Sequence, residues 1–179
     1  IKMNSNKVIK ITSPLNNAVI GEVPALSKAE VDEVIKQTKQ ASKQWAQTSL
    51  YERGEYLYKV AHLLIKYHDE LVNLLMKEVG KDRKSAKSEV LRTADLIRYT
   101  IETAKNIYGQ AIPADIVEGA KKGKFAITSR EPIGIVLAIS PFNYPINLAI
   151  SKIAPALMGG NTVVFKPATQ GSLCGTFLK

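Results

Sequence analysis

Two short loops hold the residues best suited to chemistry. The first is Ser140-Pro141-Phe142-Asn143-Tyr144-Pro145, and the second is Pro167-Ala168-Thr169-Gln170-Gly171. In the first, Asn143 stands between two aromatic residues. A side-chain amide can donate a hydrogen bond to a developing oxyanion without changing its own protonation. An asparagine in a turn can also satisfy its own backbone, and spacing alone favours that second role. Lys166, just before the second loop, can reach ribose hydroxyls or a phosphate. It can equally snorkel from a strand end, with its stem buried and its ammonium in water. Thr169 adds a hydroxyl with no negative charge. An acidic residue near such a strand end accepts from adenosine ribose hydroxyls and repels a 2′-phosphate. If adenosine ribose lies here, Lys166 with Thr169 tolerates NADP. Thr169 also reads as a helix N-cap or turn hydroxyl, and the two roles are compatible.

The elements around these loops decide where they lie. Ile133 to Ile139 is almost wholly apolar and rich in β-branched residues, the pattern of a strand buried on both faces. The two prolines of the first loop remove ladder donors and end it. Ile146, Ala149, Ile150, Ile153 and Leu157 then recur at helical spacing, and Gly159-Gly160-Asn161 supplies a left-handed stop. Thr162 to Lys166 reads as a second short buried strand. Strand, helix and strand this close together form a right-handed βαβ crossover with parallel strands. Both loops must then share the carboxyl edge of one sheet, where open α/β sheets bind ligands. No G-x-G-x-x-G fingerprint and no P-loop accompany the unit. The fold class is α/β.

Upstream, Val8 to Ile11 and Val19 to Val23 read as a surface hairpin about the Ser13–Asn17 turn. Ser27-x-x-Glu30 and Ser49-x-x-Glu52 are capping boxes that open two helices. The first carries the stripe Val31, Val34, Ile35, Thr38, Ala41 and Trp45. The second runs to Gly80, with a kink or register shift expected near Tyr67-His68-Asp69. A third helix is expected from about Ser85 to Tyr108, with its buried stripe running from Val90 to Tyr108. Arg92 lies off that stripe, which by itself suggests a solvated residue. Ile112 to Glu118 and Lys124 to Arg130 then read as a projecting hairpin, either exposed to solvent or paired with another subunit.

Composition excludes several classes. The chain has 179 residues and a formal charge of +9, but its lysines are scattered and no aromatic-plus-basic nucleic-acid motif appears. No apolar run approaches the roughly 20 residues that a membrane helix needs, and no signal peptide is visible. The one cysteine, Cys174, excludes an internal disulfide framework and a cysteine-based metal site, and fits a reducing, cytoplasmic compartment. His62 and His68, six apart, do not share a helix face, so no metal site is expected. The chain begins at Ile1 and reaches Lys179 within a helical pattern, which reads as a fragment of a longer protein.

Taken together, Ser140-Pro-Phe-Asn-Tyr-Pro, Lys152-Ile-Ala-Pro-Ala-Leu, Gly160-Asn-Thr-Val-Val and Phe165-Lys-Pro-Ala-Thr resemble the amino-terminal part of the aldehyde dehydrogenase superfamily. With Ser88-Glu-Val-Leu-Arg-Thr-Ala and Lys166-Pro-Ala-Thr-Gln-Gly-Ser, the chain is most similar to its non-phosphorylating, NADP-dependent glyceraldehyde-3-phosphate dehydrogenases. The resemblance implies a partial aldehyde dehydrogenase fold: a Rossmann-like parallel sheet with amino-terminal helices and a projecting β-hairpin. It divides the chain into hairpin and helices (1–109), an oligomerisation hairpin (110–131) and the start of the cofactor-binding sheet (132–179), without the catalytic domain. It implies Asn143 as the oxyanion amide, Arg92 and Tyr144 as substrate contacts, and NADP contacts at Ile139, Ser140, Pro141, Phe142, Lys166, Ala168 and Thr169. It further implies a phosphorylated aldehyde substrate, a thioester mechanism and a homo-oligomer, dimeric or tetrameric. The nucleophilic cysteine and the glutamate base would belong to segments past residue 179, so Cys174 is not the nucleophile and the chain alone is expected to be inactive. The alternatives are another NAD(P)-dependent aldehyde dehydrogenase, such as one for a semialdehyde, and a non-catalytic nucleotide-binding module.

Overall fold

Two helices begin by the same device. Ser27 caps α1 (Lys28–Trp45) and Ser49 caps α2 (Leu50–Lys66) in the computed structural model, which describes residues 7–178. In each, the serine Oγ accepts from the N–H of the glutamate three residues on. That glutamate's carboxylate accepts from the serine N–H at 2.7 Å. These bonds hold the carboxyls of Glu30 and Glu52 below their ordinary range. An N-cap of this kind stabilises a helix by about 1 kcal/mol.

The segment from Ser49 to Gly80 is two helices rather than one. α2 ends at Lys66, Tyr67 leaves helical geometry (φ −97°, ψ 21°), and α3 (His68–Val79) continues to Gly80, which is left-handed at φ 66°. The break places the Tyr67 ring edge-on to Phe177, with centroids 5.9 Å apart, on α6 (Ser172–Phe177). α4 (Arg83–Ala104) starts at Asp82, whose side chain accepts from the Ser85 N–H at 2.9 Å. It stops short of Tyr108, which is exposed instead of completing the buried stripe. The reason is Asn106: its amide and its N–H take the Glu102 and Thr103 carbonyls at 3.1 and 3.0 Å and close the helix.

α4 is the hub. It packs against α2, α3 and α5 (Asn147–Met158), and the core includes Leu57, Leu64, Leu71, Leu75, Ile97 and Ile150. α1 behaves differently. None of its stripe residues is buried, and Val31 and Ile35 are exposed. It meets chiefly β6 (Thr162–Lys166), and Trp45 Nε1 donates to the Leu157 carbonyl at 3.1 Å.

β1 (Val8–Thr12) and β2 (Val19–Pro24) form the expected antiparallel hairpin, and Ile11 and Val23 tuck inward. The second hairpin is shorter than expected. β3 (Ala111–Pro113) and β4 (Phe125–Ile127) pair over three residues each, and Ala114–Ile116 is a 3-10 turn. Gly119 and Gly123, left-handed at φ 81° and 89°, curl the chain before the ladder can lengthen.

β5 (Ile135–Ile139) and β6 pair in parallel, in register from Ile135 opposite Thr162 to Ile139 opposite Lys166. The strand expected from Ile133 starts two residues later, and Ile133 is 86% exposed. Burial on both faces is not seen either: Ala138 is buried, whereas Leu137 and Ile139 are exposed. α5 and α1 meet the pair and leave those two side chains uncovered. α5 ends as expected, with Gly160 left-handed (φ 80°) and the Asn161 N–H on the Ala156 carbonyl at 3.0 Å. α6 spans only Ser172–Phe177; a helix running through Lys179 would reach beyond the described residues.

Candidate functional site

Parallel register places Ile139 opposite Lys166, so the loops that follow them leave the sheet side by side. The Ser140 N–H donates to the Lys166 carbonyl at 3.4 Å, linking the two strand ends. The loops also touch. Gly171 is left-handed (φ 106°), and a Cβ built there would meet Pro145 Cβ at 2.9 Å, so the residue must be glycine for the first loop to close over the second.

Each helix that follows these loops begins on a buried glutamate from the helical layer. Glu89 of α4 is 1% exposed, and its Oε1 accepts from the N–H groups of Ile146 and Asn147 at 3.0 and 3.1 Å. Its Oε2 is paired with the Lys81 ammonium. Asn147 adds an amide bond to Thr93 Oγ1 at 3.2 Å, and that hydroxyl donates to the Glu89 carbonyl at 2.7 Å. Glu78 of α3 is fully buried. It accepts from the N–H groups of Gly171 and Leu173 at 3.0 and 2.7 Å on Oε1, and from Cys174 at 2.8 Å on Oε2. The Gln170 amide bonds the Glu78 carbonyl as well. A carboxylate at a helix N-terminus meets unpaired N–H groups and the positive end of the helix dipole together. α6 is therefore capped by Glu78 and not by Thr169, whose hydroxyl makes no hydrogen bond among the described residues.

Sequence reading missed both glutamates. One signal was available: Glu89 falls one turn after Ala86 and one before Thr93, and Glu78 one turn after Leu75, on faces that are otherwise buried. A carboxylate at such a position needs donors from elsewhere in the fold.

The first loop presents Asn143 at the surface. Its amide makes no hydrogen bond among the described residues, so it is not spent on its own turn. Tyr144 is exposed as well, with the Lys81 Nζ 3.7 Å from its ring centroid. Arg92, one turn beyond Glu89, lines a cavity of about 290 Å³ together with Tyr144, Glu89, Asn147 and Leu148. Arg92 and Tyr144, far apart in sequence, thus share one pocket beside Asn143. Along the sheet edge, Ile139, Pro141, Phe142, Lys166 and Thr169 are exposed, Ala168 is half-buried and Ser140 is buried with its Oγ unpartnered. Lys166 Nζ makes only a 3.4 Å contact to the Pro167 carbonyl, which leaves it available at the edge.

Cys174 is buried, and its thiol is pushed far above the ordinary thiol range, by burial first and the Glu78 charge second. It is packing, not a nucleophile. No group of three metal-ligating side chains exists among the described residues, and no described helix is long and apolar enough to cross a membrane. A larger groove, of about 680 Å³ between α1, α2 and β6, has no charged side chain in its lining and lies away from both loops.

The aldehyde dehydrogenase family model matches residues 1–179. The chain is 48% identical over 174 residues to the NADP-dependent glyceraldehyde-3-phosphate dehydrogenase of Streptococcus equinus, spanning 97% of this chain and 37% of that protein. It is 41% identical over 174 residues to the enzyme of that name from Pisum sativum, spanning 96% of this chain and 35% of that one. Among solved structures, it superposes at a TM-score of 0.94 and 48% identity on the NADP-dependent glyceraldehyde-3-phosphate dehydrogenase of Bacillus halodurans C-125 complexed with NADP. That match covers 97% of this chain and 36% of the other. The chain therefore spans a little over a third of the length of these relatives.

Proposed function

The chain belongs to the aldehyde dehydrogenase family, and on that premise we propose that the whole protein oxidises glyceraldehyde 3-phosphate to 3-phosphoglycerate with NADP, through a thioester. The observation that carries this reading is the shared pocket of Arg92 and Tyr144 beside an Asn143 amide with no partner of its own.

In this reading each residue of the chain has a bounded task. The Arg92 guanidinium holds the substrate phosphate, for which a planar fork of donors is suited. Tyr144 walls the pocket, and Asn143 donates to the oxygen that gathers charge as the aldehyde is attacked. The covalent step needs a thiolate and the hydrolytic step a base. Buried and with its thiol pushed up, Cys174 is poorly placed to be that thiolate, which supports the reading that the 179 residues alone are inactive.

NADP, when bound, supplies the hydride acceptor. The edge suits it: Lys166 and the unbonded Thr169 hydroxyl are exposed, and no carboxylate occurs from Lys166 to Gly171 to repel a 2′-phosphate. Ile139, Ser140, Pro141, Phe142 and Ala168 complete the contact surface. The β3–β4 hairpin, with Ile116, Val117, Phe125 and Ile127 exposed, is the contact for a dimer or tetramer. The protein works in the cytoplasm.

Assaying the whole protein for NADP reduction tests the reading. Oxidation of glyceraldehyde 3-phosphate with kcat/KM at least about tenfold above that for unphosphorylated glyceraldehyde is expected, since a charge-assisted contact contributes about 1.5–3 kcal/mol. Equal efficiency on both aldehydes would reject the phosphate assignment, and preference for a semialdehyde would replace it.

A further inference from the structure

We propose that Lys81 is a positioning residue for the oxyanion loop, acting through the ring of Tyr144 and the carboxylate of Glu89. The inference rests on the reading of Asn143 given above. Lys81 lies between two fixed points, the left-handed Gly80 that ends α3 and the Asp82 cap that starts α4. A lysine in a short helix–helix link ordinarily reaches into water. This one turns inward, with its side chain 11% exposed. Its ammonium pairs with Glu89 Oε2 and stands over the Tyr144 ring.

The two contacts act on neighbouring stretches of one chain. Glu89 holds the N–H groups of Ile146 and Asn147, which fixes where α5 begins. The ring contact fixes Tyr144, two residues earlier and adjacent to Asn143. One buried cation therefore ties the helical layer to both ends of the Asn143–Ile146 segment. The face of an aromatic ring attracts a cation, and here the ammonium is largely covered while Tyr144 stays 40% exposed. Lys81 does not line the cavity, so it acts through other residues.

This arrangement separates Lys81 from Arg92 kinetically. In the whole protein, Lys81→Met should lower kcat about 10- to 30-fold for phosphorylated and unphosphorylated glyceraldehyde alike, with KM within about threefold, because the displaced amide serves both. The double variant Lys81→Met/Tyr144→Leu should lose less relative to Tyr144→Leu than Lys81→Met loses relative to the parent, because the ring carries part of the action and Glu89 the rest. Unchanged kcat in Lys81→Met, or losses that multiply in the double variant, would overturn the proposal. Should Lys81→Met fail to fold, Lys81→Met/Glu89→Gln removes the unpaired buried charge and is read against Glu89→Gln alone, which isolates the Lys81 contribution. Amide exchange provides a readout independent of turnover: the N–H groups of Ile146 and Asn147, bonded to Glu89, should exchange at least about tenfold faster in the variant, while the middle of α4 is unchanged. Equal exchange in variant and parent rejects the positioning role. A parent protein that oxidises no aldehyde rejects the functional reading instead and leaves the exchange test standing.

Discussion

Replacing Glu89 with alanine should be among the most destabilising single changes in this part of the protein. The side chain is buried, accepts two backbone N–H bonds at 3.0 and 3.1 Å, and is the ion-pair partner of Lys81. Its removal strands two N–H groups at the start of α5 and leaves a cation 11% exposed with no carboxylate. Breaking a buried pair by deleting one partner costs about 3–5 kcal/mol. The freed N–H groups can recover part of their loss if water enters the space, so about 4 kcal/mol is expected. Glu89→Gln keeps an acceptor for the N–H groups but turns an amide NH2 towards the Lys81 ammonium, so its cost should be smaller, roughly half. Urea unfolding of the whole protein, followed by a probe in this region, provides the measurement. The midpoints should fall in the order Glu, Gln, Ala with little change in slope. A loss below about 1 kcal/mol for Glu89→Ala would refute the claim that this carboxylate organises the loop.

Thr169→Glu places a carboxylate beside the proposed adenosine ribose, and should shift cofactor preference from NADP towards NAD; unchanged discrimination would make Thr169 a plain surface residue. Cys174 gives a pH-dependent stability of known sign. Its thiol, raised above the ordinary value of 9.0, stays protonated in the folded protein where the unfolded chain loses the proton. Its contribution is thus complete below pH 9.0 and declines as pH rises past it, by about 1.4 kcal/mol per pH unit relative to Cys174→Ala. Parallel stability curves for the parent and Cys174→Ala between pH 8 and 10 would contradict the burial argument.

Local chemistry was readable in advance. Both serine capping boxes form with the expected partners, Gly80 and Gly160 stop their helices, and the two strands pair in parallel so that their loops share an edge. Each of these depends on residues a few positions apart. The features that escaped depend on distant partners. The break expected near Tyr67-His68-Asp69 is there, but the contact that accompanies it, the Tyr67 ring against Phe177, lies far along the chain. The burial of Leu137 and Ile139 depends on what covers the sheet, which their apolar character cannot report. Glu89 and Glu78 bond backbone groups at least 57 positions away, which no local pattern contains. For the site, the βαβ edge pointed to the loops, but spacing favoured a turn role for Asn143 that the free amide does not support. Arg92 is solvent-exposed, as its place off the apolar stripe suggests. Its meeting with Tyr144 exists only once α4 and α5 are packed together.

The central claim is that the Arg92–Tyr144 pocket binds the phosphate of the substrate. Steady-state kinetics of Arg92→Ala in the whole protein, with glyceraldehyde 3-phosphate and unphosphorylated glyceraldehyde compared side by side, test it most directly. A KM at least about tenfold higher is expected for the phosphorylated aldehyde, with little change for the other, because the lost charge-assisted bonds reach only the phosphate. Equal losses on both aldehydes, or none on either, would contradict it.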